Sequence, residues 1–212
     1  MSRFDELARA LADPGLARLL TPERRPEGAT RAAVLLLLSE TDEPDLLFTE
    51  RAAHMRRHAG QISFPGGGYE PGDADSVAAA LRETHEEVGL EPDQIEVIGQ
   101  LPATRLPVSS YDVDPVVGTW SGTEPLHLVS PCEVAAIHRW TIAELVDPGN
   151  RVTALHPGGT RGPAWQFGES FLWGFTAFLT DALLDLGGWT QPWDRSREVV
   201  VPRRFMRDRQ PQ

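Results

Sequence analysis

Within the stretch RETHEEVGL, Glu83, Glu86 and Glu87 stand at i, i+3 and i+4. At about 100° per residue this spacing sets the three carboxylates on one face of a helix. Like charges so placed repel one another and weaken an isolated helix, so the sequence calls for a compensating partner. Carboxylate oxygens suit a hard cation. Mg²⁺ or Mn²⁺ would keep part of its water and take its remaining ligands from substrate phosphates, whereas Zn²⁺ fits less well. The bland alternative is a solvated charged face. His85 projects from the other side of the helix, and His54 and His58, although four apart, fall in a loop, so a histidine metal site is not expected.

The elements that must hold these groups can be read around them. The helix is expected from Ser76 to Val88, begun by Asp73 or Asp75 as cap and stopped at Gly89. Val77, Leu81, Thr84 and Val88 give it a flank to bury beside the acidic one. Just before it, Phe64-Pro65-Gly66-Gly67-Gly68 allows tight backbone geometry, so that main-chain groups can approach a ligand or the helix start. Alone, this loop would be a simple turn; its meaning comes from the acidic helix that follows.

Further out, Phe4, Leu7, Ala8 and Leu11 form a helical pattern ended by Asp13-Pro14-Gly15, and RAAVLLLLSE reads as a buried strand with Asp45–Glu50 as its hairpin partner. Ile95–Leu101, Asp114–Trp120 and Glu133–Thr141 read as strands, Thr141–Val146 as a helical turn, the region around Gly158 as a hairpin and Trp173–Leu186 as a helix. The arginine-rich tail from Asp194 is interrupted by Val199, Val200, Val201 and Phe205, a surface segment with apolar anchors.

Gly68 followed by Arg82-Glu83-x-x-Glu86-Glu87-x-Gly89-Leu90 resembles the Nudix box, G-x5-E-x7-R-E-U-x-E-E-x-G-U with U apolar. Thr84 stands at an apolar position, and Ala74 stands where the box has its earlier, helper glutamate, flanked by Asp73 and Asp75. The resemblance implies an α/β fold, a Nudix-type α/β/α sandwich with a mixed β-sheet, that hydrolyses a nucleoside diphosphate joined to another group. It also implies that Glu83, Glu86 and Glu87 are catalytic and metal-binding, with Glu83 and Glu87 the leading ligands and Glu86 either completing the shell or accepting a proton from the attacking water, and that Arg82 orients them. For the general base, Glu70, Asp73 and Glu133 remain open.

A narrower resemblance covers Leu47, Thr49, Arg51, Ala52, Arg56, Gly60 and Phe64-Pro65-Gly66-Gly67, which are similar to the signature L-L-T-x-R-S/A-x3-R-x3-G-x3-F-P-G-G of coenzyme A pyrophosphatases; Phe48 replaces a leucine. LWGFTAFLTDALLDL resembles the W-G-x-T-A opening of that subfamily's last helix. The implied substrate is CoA or a CoA-like nucleotide, cleaved to 3',5'-adenosine bisphosphate and 4'-phosphopantetheine. Arg51 and Arg56 suit its phosphates, because a guanidinium pairs bidentately with such oxygens. For each an ion pair with the acidic helix is the competing role, and it is the one favoured for Arg51, whereas substrate contact is favoured for Arg56. Gly66, Gly67 and Gly68 complete the expected substrate-binding set. Another Nudix substrate such as ADP-ribose, or a silent nucleotide-binding domain, are the competing readings.

Composition is consistent with this. The 212 residues suffice for one core and divide into an N-terminal helical extension (1–25), a hydrolase domain (26–190) and a C-terminal tail packed on it (191–212). A net charge of -11 disfavours a broad nucleic-acid surface and leaves an anionic substrate in need of a metal. The single cysteine, Cys132, excludes an intrachain disulfide and is read as a buried thiol. No run reaches the ~18 apolar residues of a membrane span, so the expectation is a cytoplasmic protein with no membrane partner and a homodimer left open.

Overall fold

The computed structural model describes residues 4–19, 26, 30–55, 58–106, 111–156 and 158–205. Its centre is β1 (Thr30–Ser39), whose apolar run is sorted by the period of two of an extended chain. Ala33, Leu35 and Leu37 turn to one face, Leu36 and Leu38 to the other, and all are fully buried. A strand covered on both sides has no polar alternation to show, which explains its uniform sequence.

β1 runs parallel to β7 (Tyr111–Trp120) over its whole length, from Thr30↔Tyr111 to Ser39↔Trp120. β2 (Asp45–Arg51) pairs with β1 only at Leu38↔Leu46, then splays away to join β8 (Val134–Thr141) from Asp45↔Thr141 to Arg51↔Val134. The expected hairpin is therefore confined to its turn. The room beside β1 is taken by β4 (Gly66–Gly68), so the glycine segment is a short antiparallel strand, Val34↔Gly66 to Ala32↔Gly68. β3 (Ile62–Ser63) extends β2, while β5 (Glu96–Gln100) and β6 (Thr104–Leu106) flank β7.

The helix α2 (Ser76–Val88) covers one face of this mixed sheet. Asp75 caps it by accepting from the Ala78 amide at 2.9 Å, and Gly89 ends it in the left-handed region at φ 74. Its most buried stripe is Ala79, Ala80, Thr84 and Val88, with Val77 and Leu81 only partly covered, so small residues bring the helix close to the sheet. Thr84 is accommodated because its hydroxyl donates to the Ala80 carbonyl at 2.7 Å.

The opposite face is packed by α1 (Asp5–Leu11), by α3 (Ile142–Val146), by α4 (Gly174–Leu186) and by a second sheet. That sheet orders β11 (Ser170–Leu172), β10 (Arg161–Phe167), β9 (Arg151–Leu155) and β12 (Glu198–Val200). The result is the expected α/β/α arrangement. Phe4, Leu7, Leu11 and Leu16 of the N-terminal extension are buried in the main core. The tail is built in likewise, since β12 lies parallel to β9 and Val201 and Phe205 are buried. Cys132 corrects an expectation. It is exposed, in the turn that precedes β8, where the chain leaves the core to reach its next strand.

Gly99 on β5 makes room for α1, because a Cβ there would lie 2.7 Å from the Cβ of Leu11. Gly99→Val should push α1 off the sheet and cost about 1–3 kcal/mol in urea denaturation. A variant as stable as the parent would show that α1 contributes no packing there.

Candidate functional site

The acidic flank of α2 lies against β4, and two glycines set how closely. Gly66 has φ 155, and a Cβ on it would fall 2.3 Å from the Ala33 carbonyl. A Cβ on Gly67 would stand 2.4 to 2.6 Å from the carboxylate atoms of Glu83, so only a bare backbone lets that carboxylate rest on the strand.

Arg82 organises the charges. Its Nη1 donates to Glu83 Oε1 at 3.0 Å and to Glu86 Oε2 at 3.1 Å. Its Nη2 donates to the Gly68 carbonyl at 3.0 Å and to Asp73 Oδ2 at 3.1 Å, while Nε reaches Asp73 Oδ1, also at 3.1 Å. Asp73 is thereby held below the usual carboxylate range, chiefly by that bidentate pairing, and Arg82 is held firmly cationic by the same bond. Of the two aspartates beside Ala74, Asp75 is the cap and Asp73 is engaged by the arginine.

Glu87 lies deeper, 4% exposed. Burial, then the Glu83 charge, push its carboxyl up to about 8, against the opposing pull of Arg51 and the Gly66 amide. Burial also raises Glu83, with Arg82 opposing and Glu86 and Glu133 adding to the rise. Glu133 acts on Glu87 in the same sense, so of the open candidates for a base it is electrostatically joined to the cluster. Thr49, buried on β2, donates to Glu87 Oε2 at 3.5 Å and shares a 3.2 Å contact with the Ser63 hydroxyl. No role for Thr49 follows from the sequence, because nothing local says that β2 runs behind the helix.

Arg51 ends β2 at a bulge, where the Glu87 charge reaches it, and its buried Nε has no hydrogen-bond partner among the described residues. Arg56 lies outside the described residues. His85 is 3.5 Å from Glu91, away from the acidic cluster. The segment 127–133 straps the end of α2: the His127 amide donates to the Val88 carbonyl, that of Val129 to Glu87 and the Ser130 hydroxyl to Glu86. No residue pattern signals this strap, since its bonds are to backbone carbonyls.

Among the described residues no three acidic, histidine or cysteine side chains converge as a finished metal cage. Mg²⁺ does not require one, because one or two carboxylates with water and substrate phosphate suffice. Glu83 and Glu87, crowded, partly desolvated and oxygen-only, fit such an ion, and Glu86 stands exposed at the rim held by Arg82.

A model of the NUDIX domain family matches residues 29–156. The uncharacterized Nudix hydrolase NudL of Cronobacter sakazakii is 39% identical over 176 residues, covering 80% of this chain and 91% of the relative. NudL of Escherichia coli K12 is 36% identical over 176 residues, with the same coverage of both chains. NudL of an Enterobacter strain is 38% identical over 180 residues.

The Glu87 carboxyl sits at about 8 in the folded chain against an ordinary 4.5, so between those values unfolding releases a proton. The metal-free protein should therefore lose stability as pH rises from 4.5 towards 8, by an amount on the order of several kcal/mol, with Glu83 acting in the same direction. Glu87→Gln removes most of that dependence and should be more stable than the parent at pH 8 than at pH 5.5. Urea titrations in chelator across this range read the difference, and parallel pH profiles would refute the assignment.

Proposed function

The chain belongs to the Nudix hydrolase family, whose reaction is hydrolysis of a diphosphate linkage in small nucleotide substrates with a divalent metal, and on that premise we propose that its substrate is coenzyme A or a CoA derivative. The products are then 3',5'-adenosine bisphosphate and an (acyl-)4'-phosphopantetheine. The observation that carries the reading is Arg51. It belongs to the segment that resembles coenzyme A pyrophosphatases, its charge acts on Glu87, and among the described residues its buried Nε has no hydrogen-bond partner.

Glu83 and Glu87 are assigned to hold Mg²⁺ or Mn²⁺, with Glu86 at the rim. The ion, when bound, neutralises charge on the phosphoryl oxygens and lowers the pKa of water. The chain's residues supply the rest. Arg82 fixes Glu83 and Glu86 by one nitrogen while its other nitrogens tie them to Asp73 and Gly68, so the carboxylates need little reorganisation when substrate arrives. Arg51 offers guanidinium donors to a substrate phosphate. Gly66 and Gly67 keep the strand low enough for a diphosphate to come close to the carboxylates.

The test is product analysis with CoA and Mg²⁺ beside ADP-ribose. Wild type should release 3',5'-adenosine bisphosphate, Glu87→Gln should lower kcat by about a hundredfold or more, and Arg51→Ala should raise KM for CoA about tenfold. Cleavage of ADP-ribose alone would overturn the CoA assignment and leave the family chemistry standing. Binding without turnover of either would favour a silent nucleotide-binding domain.

A further inference from the structure

We infer that the C-terminal tail, as far as Phe205, is a strap that positions residues 58–61 at the neck between β2 and β3, with Gln61 and Phe205 as positioning residues for substrate binding through Arg51. The inference rests on the reading that Arg51, bonded to Gly60 and Gln61 at this neck, meets a substrate phosphate.

The loop is closed at its neck by main-chain bonds, Arg51 N–H to the Gln61 carbonyl and Gly60 N–H to the Arg51 carbonyl, both 3.0 Å. Among the described residues of the loop the Met55 amide donates to the Ala52 carbonyl and the Ala52 amide to that of Glu133, and His58 lies in the left-handed region at φ 58. A non-glycine residue there is uncommon and is kept by its surroundings. Here the neighbour is Gln61, whose amide N–H donates to the His58 carbonyl at 3.0 Å and whose side chain links His58 to the tail. Gln61 Nε2 donates to the Phe205 carbonyl at 2.5 Å, which fixes the orientation of the amide, because only its nitrogen can donate to a carbonyl. Gln61 Oε1 is thereby left to accept from His58 Nδ1 at 3.0 Å. One amide thus joins the strained residue to the tail. The Phe205 ring also lies next to Gly60, 3.9 Å from where a Cβ would stand.

The tail is anchored well enough to serve as a fixed point. β12 pairs with β9, the Val201 amide donates to the Leu155 carbonyl at 3.0 Å, and Phe205 stacks on Phe171. Further back, the Trp193 ring lies 4.5 Å from the guanidinium of Arg151, which is wholly buried, packs on Trp165 from the same distance and pairs with Asp181. Such a contact between a desolvated cation and an aromatic face is one of the stronger surface-to-core ties. The anchor therefore runs from the second sheet to the neck of the loop, and a disturbance at Phe205 is felt at Arg51 through two bonds.

The experiment compares Phe205→Ala, Gln61→Met and the double variant with wild type in steady-state CoA hydrolysis, with Phe205→Leu as the conservative control. Each single variant should raise KM about fivefold with kcat within twofold, Phe205→Leu should stay near wild type, and the double variant should be no worse than either single one, since both break the same link. Amide hydrogen exchange at Gly60 should accelerate about tenfold in the singles. An unchanged KM overturns the inference, even where Tm falls, and so does an additive double variant or a loss confined to kcat. If wild type does not cleave CoA but cleaves ADP-ribose, the substrate assignment fails separately and the same comparison is read with ADP-ribose.

Discussion

One guanidinium, that of Arg82, ties two of the three glutamates on the acidic face of α2 to the turn and strand before it. Glu83, Glu86 and Glu87 repel one another, and Glu87 is additionally stripped of water. Arg82 offsets the repulsion from within the same helix and spends its remaining donors on Asp73 and on the carbonyl of Gly68. The helix, the turn before it and the glycine strand are thus cross-linked by one side chain, about one-fifth exposed. Holding the carboxylates in place before any cation arrives removes the reorganisation that a flexible cluster would cost.

The same economy appears in the backbone. A side chain at position 67 would occupy the space of the Glu83 carboxylate, so the site is made by the absence of atoms as much as by their presence. β1 beside it is apolar on both faces, and its ladder with β4 fixes where that strand lies. Charge and steric exclusion therefore agree about where the helix sits, and neither would hold the geometry alone.

Much of this was legible before any coordinates. The ends of α2 follow from Asp75 and Gly89, and the glutamate face from spacing alone, because both are local rules of one helix. The splaying of β2 toward β8 was not legible, since strand partners are chosen by sheet packing and Leu46 looks the same whichever neighbour it meets. Thr49 behind Glu87 and the strap at 127–133 escaped for a related reason: their contacts join segments that the sequence leaves far apart, or they use backbone atoms that carry no identity. Cys132 was misread because composition favours burial for a lone thiol, whereas a turn between the strap and β8 exposes it.

The link from Gln61 to Phe205 spans 144 positions in sequence. Closing so long a loop costs chain entropy that local pairings such as β9 with β10 avoid, and contacts of this kind set the slow part of a folding reaction. β12 and Phe205 are also synthesised after every element they touch. The topology thus orders these events: the sheet and its acidic helix assemble from nearer neighbours, the neck between Arg51 and Gln61 closes locally, and the bond from Gln61 to the tail is among the last to form.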